Sequence, residues 1–321
     1  MFTRSKTHVE EGDLVLAWLS RDSIIPLKIT RDARFDNKFG SYPHNLLLGK
    51  PYGSQIQSLN GRGFIHILHP SPELWSLSLP HRTQIVYSPD ASYITGELGI
   101  GPGSRVIEAG CGSASLTHSL SRTVGETGRI WSYEYHLLRF LAAKKELEDH
   151  GLLPNIVTLT HRDVCKHGFE IKEINSDVNA VFLDLPAPWD AIPHVKSVAN
   201  TQEMVRICTF SPCLEQVQRT IQILQLEQWS NIQLVEIAYR NWESRKVELR
   251  DLNSSIERLR KIKRKRRNEG KEEKIERGTG VLKEVSRMEQ NVKNHTSYLC
   301  FAALLPQVEM EVVDITVQED G

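Results

Sequence analysis

The chain has few cysteines and no long apolar run. Its 321 residues include five cysteines, an odd number without a CxxC pair. This argues against a disulfide scaffold or a zinc ribbon and fits a reducing compartment. The sequence has no stretch of about 18 apolar residues, as a transmembrane helix needs, and the first residues lack the apolar core of a secretory signal. With 40% hydrophobic and 25% charged residues, we expect a globular protein that is neither secreted, membrane-spanning nor fibrous.

The chain also lacks a net charge, because 40 Lys and Arg residues balance 40 Asp and Glu residues. The balance hides an asymmetry: residues 243–295 carry 17 basic and 10 acidic residues, and eight of the residues 258–267 are basic. One interpretation is a solvated helical or disordered insertion without a specific partner. The alternatives are an arm that contacts nucleic acid and a nuclear import signal. The import signal would place the protein in the nucleus, with the cytoplasm as a further location.

Residues 1–80 have the pattern of a small all-β domain. Apolar runs at 13–19, 23–29 and 64–68 are separated by turn residues, and five glycines fall between residues 40 and 63. Many short strands at short spacing favour a small barrel or sandwich. We therefore predict a barrel-like N-terminal domain over residues 1–80.

From about residue 104 strands and helices alternate. We predict strands at 104–109, 129–134, 155–160, 178–184 and 205–210, helices at 113–124, 136–150 and 212–228, and two last strands at 231–239 and 297–305. Alternating βα units imply a doubly wound, mostly parallel sheet. The predicted fold class is thus α/β with a Rossmann-like sheet over residues 81–321, and the charged insert 243–295 lies between the last two strands.

A glycine-rich turn follows the first strand of this sheet. Residues 108–115 read Glu-Ala-Gly-Cys-Gly-Ser-Ala-Ser. Gly110 and Gly112 let the backbone approach a ligand that a Cβ would block, and the helix start favours anionic groups. Glu134 ends the next strand, where an acid can accept hydrogen bonds from ribose hydroxyls. The turn therefore predicts a nucleoside-containing cofactor, although a plain tight turn is the structural alternative.

The spacing fits either a dinucleotide or S-adenosylmethionine. Ser115 stands where a dinucleotide site prefers a third glycine or an alanine, and Glu108 suits an ammonium group more than a pyrophosphate. Both features favour S-adenosylmethionine. Asp163, after the third strand, can bond an adenine amino group or cap a helix, and the sequence does not separate these alternatives.

The fourth strand ends at Asp184, which is followed by Leu-Pro-Ala-Pro-Trp. Ligands of open α/β sheets bind beyond the carboxyl ends of the strands, so Asp184 should face the cofactor crevice. Two prolines stiffen this loop, and Trp189 offers a flat face to a base. The loop is similar to the acid-Pro-Pro-aromatic loops of adenine amino methyltransferases. The structural alternative is a proline-rich turn whose tryptophan fills the core.

Several stretches together resemble one family. The specific ones are His-Arg-Thr-Gln at 81–84 and Asp-Leu-Pro-Ala-Pro-Trp at 184–189, and further matches lie at 11–13, 49–54, 69–75, 108–115 and 210–217. On these residues the chain resembles the catalytic subunits of the eukaryotic tRNA (adenine-N1-)-methyltransferase, which modifies adenine 58 in the T-loop. The resemblance covers nearly the whole chain except residues 243–295.

The resemblance implies a class I methyltransferase domain behind a small β-barrel, S-adenosylmethionine as methyl donor, and a heterotetramer with a related non-catalytic, RNA-binding subunit. It implies Asp184 as the catalytic residue and no metal. Together with Glu108, Gly110 and Gly112 of the turn, the expected cofactor contacts are Val86, Ser113, Ala114, Ser115, Glu134, Arg139, Asp163 and Val164. The expected tRNA contacts are Gln84, Tyr87, Pro186, Trp189, Ser211, Pro212 and Gln216, with residues near 34–40. Ala114 stands where relatives often have glycine.

Two other functions remain as alternatives. A catalytically silent RNA-binding subunit of the same complex would be expected to lack the glycine turn, Glu134 or Asp184, and all are present. A nicotinamide-dependent oxidoreductase of the same topology is disfavoured by Ser115 and by the absence of a Tyr-x-x-x-Lys pair.

Overall fold

A computed structural model describes residues 2, 6–20, 23–79, 84–169, 177–238, 242–249, 252–267, 281–288 and 297–306. The predicted boundary between residues 80 and 81, the His-Arg-Thr part of 81–84, parts of the insert and the acidic residues after 306 lie outside these ranges. The chain divides into two compact units, Met1–Ile237 with His295–Gly321, and Ala238–Asn294.

The N-terminal segment forms two small antiparallel sheets. Its strands are β1 (Leu14–Ser20), β2 (Ser23–Lys28), β3 (Arg34–Asn37), β4 (Gly40–Pro43), β5 (Gln55–Gln57) and β6 (Phe64–Leu68), with a 3-10 turn at His44–Leu46. One sheet has the order β2-β1-β6-β5, and β3 pairs with β4. Alternate residues of β1 and β6, such as Val15, Ala17, Ile65 and Ile67, pack into one core with Tyr42. The strands predicted at 13–19, 23–29 and 64–68 correspond to β1, β2 and β6.

Two short helices lead from this segment to the central sheet. They are α1 (Pro72–Ser78) and α2 (Ser88–Glu97). The Ser71 hydroxyl accepts a hydrogen bond from the Leu74 amide at 3.3 Å and so caps α1, and Pro72 occupies the first turn, where no amide donor is needed. Neither helix was predicted from the sequence.

Alternating strands and helices follow. They are β7 (Arg105–Ala109), α3 (Ser115–Val124), β8 (Arg129–Glu134), α4 (Leu137–Asp149), β9 (Val157–His161), α5 (Val164–His167), β10 (Ala180–Leu183), α6 (Pro188–Val195), β11 (Val205–Ser211), α7 (Leu214–Leu226) and β12 (Ser230–Glu236). Each predicted strand and helix of this region has a counterpart within a few residues. Helices α5 and α6 are additional.

The second compact unit contains a hairpin and a helix, β13 (Trp242–Leu249), α8 (Leu252–Arg267) and β14 (Val281–Met288). The two strands pair antiparallel from Trp242 opposite Met288 to Leu249 opposite Val281. The basic run 258–267 lies in α8, so this part of the insert is helical, and Arg258 and Arg260 are exposed. The hairpin was not predicted.

The last strand, β15 (Tyr298–Leu304), completes a seven-stranded sheet of order β12-β15-β11-β10-β7-β8-β9. The five strands from β11 to β9 in this order pair in parallel, and β15 runs antiparallel between β11 and β12. One face packs Val106 against Leu120 and Leu147, and the other packs Val181 against Ile192. This arrangement confirms the predicted α/β fold with a doubly wound, mostly parallel sheet.

No helix within the described ranges is both long enough and apolar enough to cross a bilayer.

Candidate active site

The residues singled out in the sequence meet at the carboxyl edge of the parallel strands. The glycine turn follows β7, Glu134 ends β8, and Asp184 follows β10 directly. The Asp184 amide donates to the Ala109 carbonyl at 2.8 Å, which joins the end of β10 to the end of β7. Neighbouring parallel strands end on the same side of the sheet, so three sequence-distant segments form one crevice.

The glycine turn needs backbone conformations that favour glycine. Gly110 has φ +91°, and Gly112 has φ +54°. A Cβ on residue 110 would also overlap the backbone carbonyl of Asp184. The amides of Gly110 and Cys111 both donate to the Tyr133 carbonyl, at 2.9 and 3.0 Å. The turn is therefore packed directly against the strand ends that carry Glu134 and Asp184.

Glu134 is held by backbone donors of the turn and of its own strand end. Its Oε2 accepts from the Gly112 amide at 2.9 Å, and its Oε1 accepts from the His136 amide at 2.8 Å. An ionised carboxylate has about four acceptor positions, so two remain for a pair of ligand hydroxyls. The side chain is almost fully buried.

A mostly apolar cavity of about 230 Å³ has Tyr133 and Tyr135, the two chain neighbours of Glu134, in its wall. Its lining includes Gly110, Asp163, Val164 and Pro186. Asp163 is the N-cap of α5, because its Oδ1 accepts from the amides of Cys165 and Lys166 at 3.2 and 3.3 Å. Asp163 thus caps a helix, which is one of the two roles that the sequence allowed. Its place in the cavity wall also leaves room for the other role, a hydrogen bond to an adenine amino group.

Asp184 lies half-buried at the rim of the crevice. Burial, reinforced by the negative charge of Glu134, raises the pKa of its carboxyl to about 7. The positive charge of Arg139, which is exposed on α4, acts in the opposite direction. Carboxyl groups with strongly shifted pKa values are often found in active sites. The raised pKa therefore marks Asp184 as a candidate functional residue.

Glu108 lies beneath the turn and not in the cavity wall, with 1% of its surface exposed. Its Oε2 accepts hydrogen bonds from Ser132 Oγ at 2.6 Å and Thr117 Oγ1 at 2.7 Å. Burial raises the pKa of this carboxyl to about 7, against the effect of these two hydrogen bonds. The geometry places Glu108 as a support of the turn, and a contact of Glu108 with a ligand ammonium stays a prediction.

The start of α3 is fixed from the side of α1 and α2. Ser115 is buried, and its hydroxyl donates to the Val86 carbonyl at 2.8 Å. The Ser76 hydroxyl of α1 lies 2.5 Å from Ser115 Oγ. Ser113 accepts a long hydrogen bond from the Ser115 amide at 3.4 Å. Three predicted cofactor contacts, Val86, Ser113 and Ser115, are thus brought together at one corner of the turn.

The two loops predicted to face tRNA are joined by Gln216. Its Nε2 donates to the Pro186 carbonyl at 2.9 Å, and its Oε1 accepts from the Cys213 amide at 3.2 Å. Trp189 lies in the first turn of α6, with the Arg219 guanidinium 5.4 Å from its ring centre. Trp189 is therefore part of a helix, and its half-buried ring already has a cationic partner on the rim.

The remaining residues of that prediction lie around the same edge. Ser211 is buried at the end of β11, and Pro212 is exposed beside it. Tyr87 is half-buried before α2, and Gln84 is exposed.

One pair of side chains next to the turn was not identified from the sequence. The His118 ring on α3 lies 2.6 Å from the Ala114 carbonyl through Nδ1 and 2.8 Å from His150 Nδ1 through Nε2. No local pattern points to this contact, because His150 is 32 residues away in the chain. Among the described side chains, no three His, Cys, Asp or Glu residues are grouped to hold a metal ion.

The comparisons with known proteins agree with this geometry. Residues 63–304 match the family described as "tRNA methyltransferase complex GCD14 subunit". A relative from Candida albicans, named tRNA (adenine(58)-N(1))-methyltransferase catalytic subunit, is 45% identical over 95% of this chain and 99% of its own length. One of the same name from Schizosaccharomyces pombe is 42% identical over 95% of this chain and 96% of its length.

Solved structures show the same fold. A SAM-dependent O-methyltransferase of Thermotoga maritima aligns over 94% of this chain and 97% of its own, with a TM-score of 0.71 and 26% identity. A tRNA (m1A58) methyltransferase from Aquifex aeolicus aligns over 94% and 100%, with a TM-score of 0.65 and 23% identity. The fold is therefore that of class I SAM-dependent methyltransferases, as predicted. With a family match over most of its length and close relatives over nearly all of it, the chain belongs to the family of the tRNA methyltransferase complex GCD14 subunit.

Proposed function

We propose that this chain transfers a methyl group from S-adenosylmethionine to N1 of adenine 58 in tRNA, as the catalytic subunit of a complex with a second, RNA-binding subunit. The observation that carries the proposal is the position of Asp184. A half-buried carboxylate stands at the rim of a crevice that also contains a glycine turn and a second carboxylate, Glu134. The names of the near-full-length relatives support the same activity.

Several features of the crevice support S-adenosylmethionine as its ligand. The acceptor positions left on Glu134 suit the two ribose hydroxyls. The apolar cavity lined by Val164 and Pro186 suits a flat adenine ring, and Asp163 lies in its wall. Gly110 leaves no Cβ where the turn meets the Asp184 backbone in this crevice. When bound, the cofactor supplies a methyl group activated by a sulfonium, which a nitrogen lone pair can attack.

Asp184 would act on the base that is methylated. Adenine N1 already has a lone pair, so no residue has to remove a proton before the transfer. As a carboxylate, Asp184 would accept a hydrogen bond from the amino group at C6 and hold the ring in line. Its negative charge would also stabilise the positive charge that develops on the base. Holding the two reactants in one geometry supplies much of the remaining rate enhancement.

The rim beyond Asp184 is assigned to tRNA. The 211–216 loop and the 186–189 segment are joined by Gln216, so they would form one surface for the nucleotides that flank the target base. Outside residues 243–295 the chain carries 23 basic and 30 acidic residues, which suits a polyanion poorly. A partner subunit would therefore contribute much of the phosphate contact. We also propose a heterotetramer of two copies of each subunit.

The proposal is tested with the chain co-expressed and purified with its second subunit. A tRNA transcript with adenine at position 58 should gain one methyl group, and primer extension should stop there because the N1 methyl group blocks base pairing. A transcript with guanine at this position should not be methylated. Methylation elsewhere on the tRNA, or none with a folded complex, would contradict the proposal.

The role of Asp184 needs a matched pair of variants. Asp184→Ala should lower kcat by at least about 100-fold, while affinity for the cofactor changes little. Asp177→Asn is the control, because Asp177 precedes the same strand at the opposite edge of the sheet and is paired with Arg105 at 3.4 Å. Near-normal turnover of Asp184→Ala would refute its role.

We propose further that the basic run in α8 directs the chain to the nucleus. Replacement of its basic residues by glutamine should redistribute a fluorescently labelled chain to the cytoplasm. An unchanged nuclear signal would remove this proposal and leave the methyltransferase assignment untouched.

A further inference from the structure

The residue at the start of α3 has an unusual backbone conformation. Ala114 is the N-cap of this helix and has φ 57° and ψ 16°, which is the left-handed region. An L-residue with a Cβ is disfavoured there, and glycine is the usual occupant. Ala114 is fully buried, and no side chain caps the helix at this point. Something other than the residue's own preference must hold the conformation.

The Ala114 carbonyl is the group that is held. It accepts the ordinary helical hydrogen bond from the His118 amide at 3.2 Å and a second one from the His118 ring at 2.6 Å. A carbonyl oxygen can only accept, so His118 Nδ1 carries the proton. In a neutral ring Nε2 is then an acceptor, and it faces His150 Nδ1 at 2.8 Å. Hence His150 donates to His118, and His118 donates to Ala114.

Both rings are shielded from water. His118 is fully buried and His150 is 6% exposed. Phe2 lies 4.6 Å from the His118 ring centre, and Trp75 of α1 lies 4.6 Å from that of His150. Burial lowers the pKa of His118 to about 3 and that of His150 to about 4, so both rings are neutral at physiological pH. Neutral rings give the chain of hydrogen bonds one direction.

The position of this chain of bonds relates it to the cofactor turn. Ala114 lies between Ser113 and Ser115, which are two of the assigned cofactor contacts. The Ala114 amide donates to the Cys111 carbonyl at 2.8 Å, so its conformation also sets the path of the preceding turn. A change at Ala114 would therefore move the backbone that meets the cofactor.

We propose that His118, oriented by His150, is a positioning residue that holds Ala114 in its left-handed conformation and thereby presets the glycine turn for the methyl donor. The inference rests on the proposed function only in taking S-adenosylmethionine as the ligand of the turn. Neither histidine touches the reacting atoms, so their effect belongs to cofactor binding and not to the methyl transfer itself.

The test compares three single variants and one double variant of the full complex. His118→Phe keeps a ring but loses both hydrogen bonds, and calorimetry should show S-adenosylmethionine affinity weakened by about tenfold. At saturating cofactor its kcat should stay within about twofold of the wild type. His118→Asn retains a donor at the δ position and should bind within about threefold. His150→Leu should weaken binding less than His118→Phe.

The decisive variant is the double change His118→Phe with Ala114→Gly. Glycine adopts the left-handed conformation without help, so affinity should return to within about threefold of the wild type. If the histidines only fill space, Ala114→Gly will not rescue binding, and that result overturns the proposal. Unchanged affinity in a folded His118→Phe complex would overturn it as well.

A measurement without cofactor separates this inference from the proposed function. Hydrogen exchange of a peptide covering residues 111–118 should be faster in His118→Phe than in the wild type and slow again in the double variant. If the wild type does not bind S-adenosylmethionine at all, the proposed function fails while this exchange pattern still reports on the histidine pair. Equal exchange in all variants would contradict the pair's role whatever the ligand. Should His118→Phe not fold, His150→Leu with and without Ala114→Gly provides the same comparison.

Discussion

The backbone carbonyl of Asp184 occupies the space that a Cβ on residue 110 would need. The glycine turn after β7 and the acidic loop after β10 therefore touch through main-chain atoms. One residue without a side chain thus sets the distance between the cofactor turn and the acid assigned to catalysis.

Gly110→Ala should disrupt this contact. The new Cβ meets a backbone carbonyl that cannot rotate away, and the φ of +91° is itself unfavourable for alanine. We expect kcat/KM to fall by at least about 100-fold, since small displacements of reacting groups are costly. Gly101→Ala is the matched control, because a Cβ there meets open space. Steady-state kinetics at two cofactor concentrations would measure both, and full activity of Gly110→Ala would contradict the contact.

The rate should depend on the ionisation of Asp184. Its pKa is raised to about 7, so a protein at pH 6 carries mostly the protonated acid, which cannot serve as an anionic acceptor. We expect kcat/KM to rise between about pH 6 and pH 8 and then to level off. The profile is measured at constant ionic strength with saturating partner subunit.

A second variant identifies the group in that profile. The charge of Glu134 contributes to the raised pKa of Asp184, so Glu134→Gln should move the inflection to lower pH. Glu134→Gln should also weaken cofactor binding, which calorimetry measures separately. An inflection that stays in place in Glu134→Gln would assign the profile to another group.

Glu108 should make the stability depend on pH. Its pKa in the folded chain is raised from 4.5 to about 7, so the folded state binds this proton more tightly than the unfolded chain does. Its stabilising contribution is complete below about pH 4.5 and is lost as the pH rises through about 7. Glutamine does not bind this proton, so the stability of Glu108→Gln lacks this pH dependence. The Tm of the variant should therefore rise relative to that of the wild type as the pH increases from 5 to 8. A constant difference would show that Glu108 is ionised in the folded chain.

Gln216→Ala should affect the tRNA and not the cofactor. The substitution removes the hydrogen bond to the Pro186 carbonyl, so the two rim loops lose their connection. We expect KM for tRNA to rise about three- to tenfold with S-adenosylmethionine affinity unchanged. Gln222→Ala, an exposed position on the same helix, serves as the control. A change in cofactor affinity would instead show that the loops shape the cofactor crevice.

The insert should be removable without loss of the core. Glu236 of β12 pairs with Tyr298 of β15, so the two strands are neighbours in the sheet. In the sequence they are separated by the second compact unit. Deletion of residues 239–295 leaves four residues between this pair, a length that closes antiparallel hairpins. We expect the Tm to change by less than about 3 °C, because the main hydrophobic clusters lie outside the unit.

The same deletion also separates the alternatives for the basic run. If α8 contacts tRNA, the slope of log affinity against log salt concentration should become shallower in the deletion variant. An unchanged slope would favour a solvated arm or an import signal.

The sheet and the glycine turn could be predicted because their signals are local. Strands β8 and β6 match the predicted bounds, since each is a short run rich in isoleucine and aromatic residues between turn residues. Helices α1 and α6 were missed because prolines begin them: Pro72 and Pro188 suggest loops, yet a proline in the first helical turn loses no hydrogen bond. Hence Trp189, expected on a stiff loop, is in a helix.

The support of the site could not be predicted, because it comes from distant residues. Glu108 was expected to face a ligand, but its hydrogen bonds to Thr117 and Ser132 become visible only when β7, β8 and α3 pack together. The pair of His118 and His150 likewise joins α3 to the end of α4. Periodicity and motif spacing contain no information on such contacts.

The antiparallel strand β15 has a consequence for synthesis of the protein. It is the last strand of the sheet in sequence, but in space it lies between β11 and β12, with both of which it pairs. A nascent chain that has not yet released residues 298–304 from the ribosome leaves the edges of β11 and β12 open. Such edges can pair with foreign strands, and the insert, which is translated between β12 and β15, lengthens the interval in which they stay unpaired.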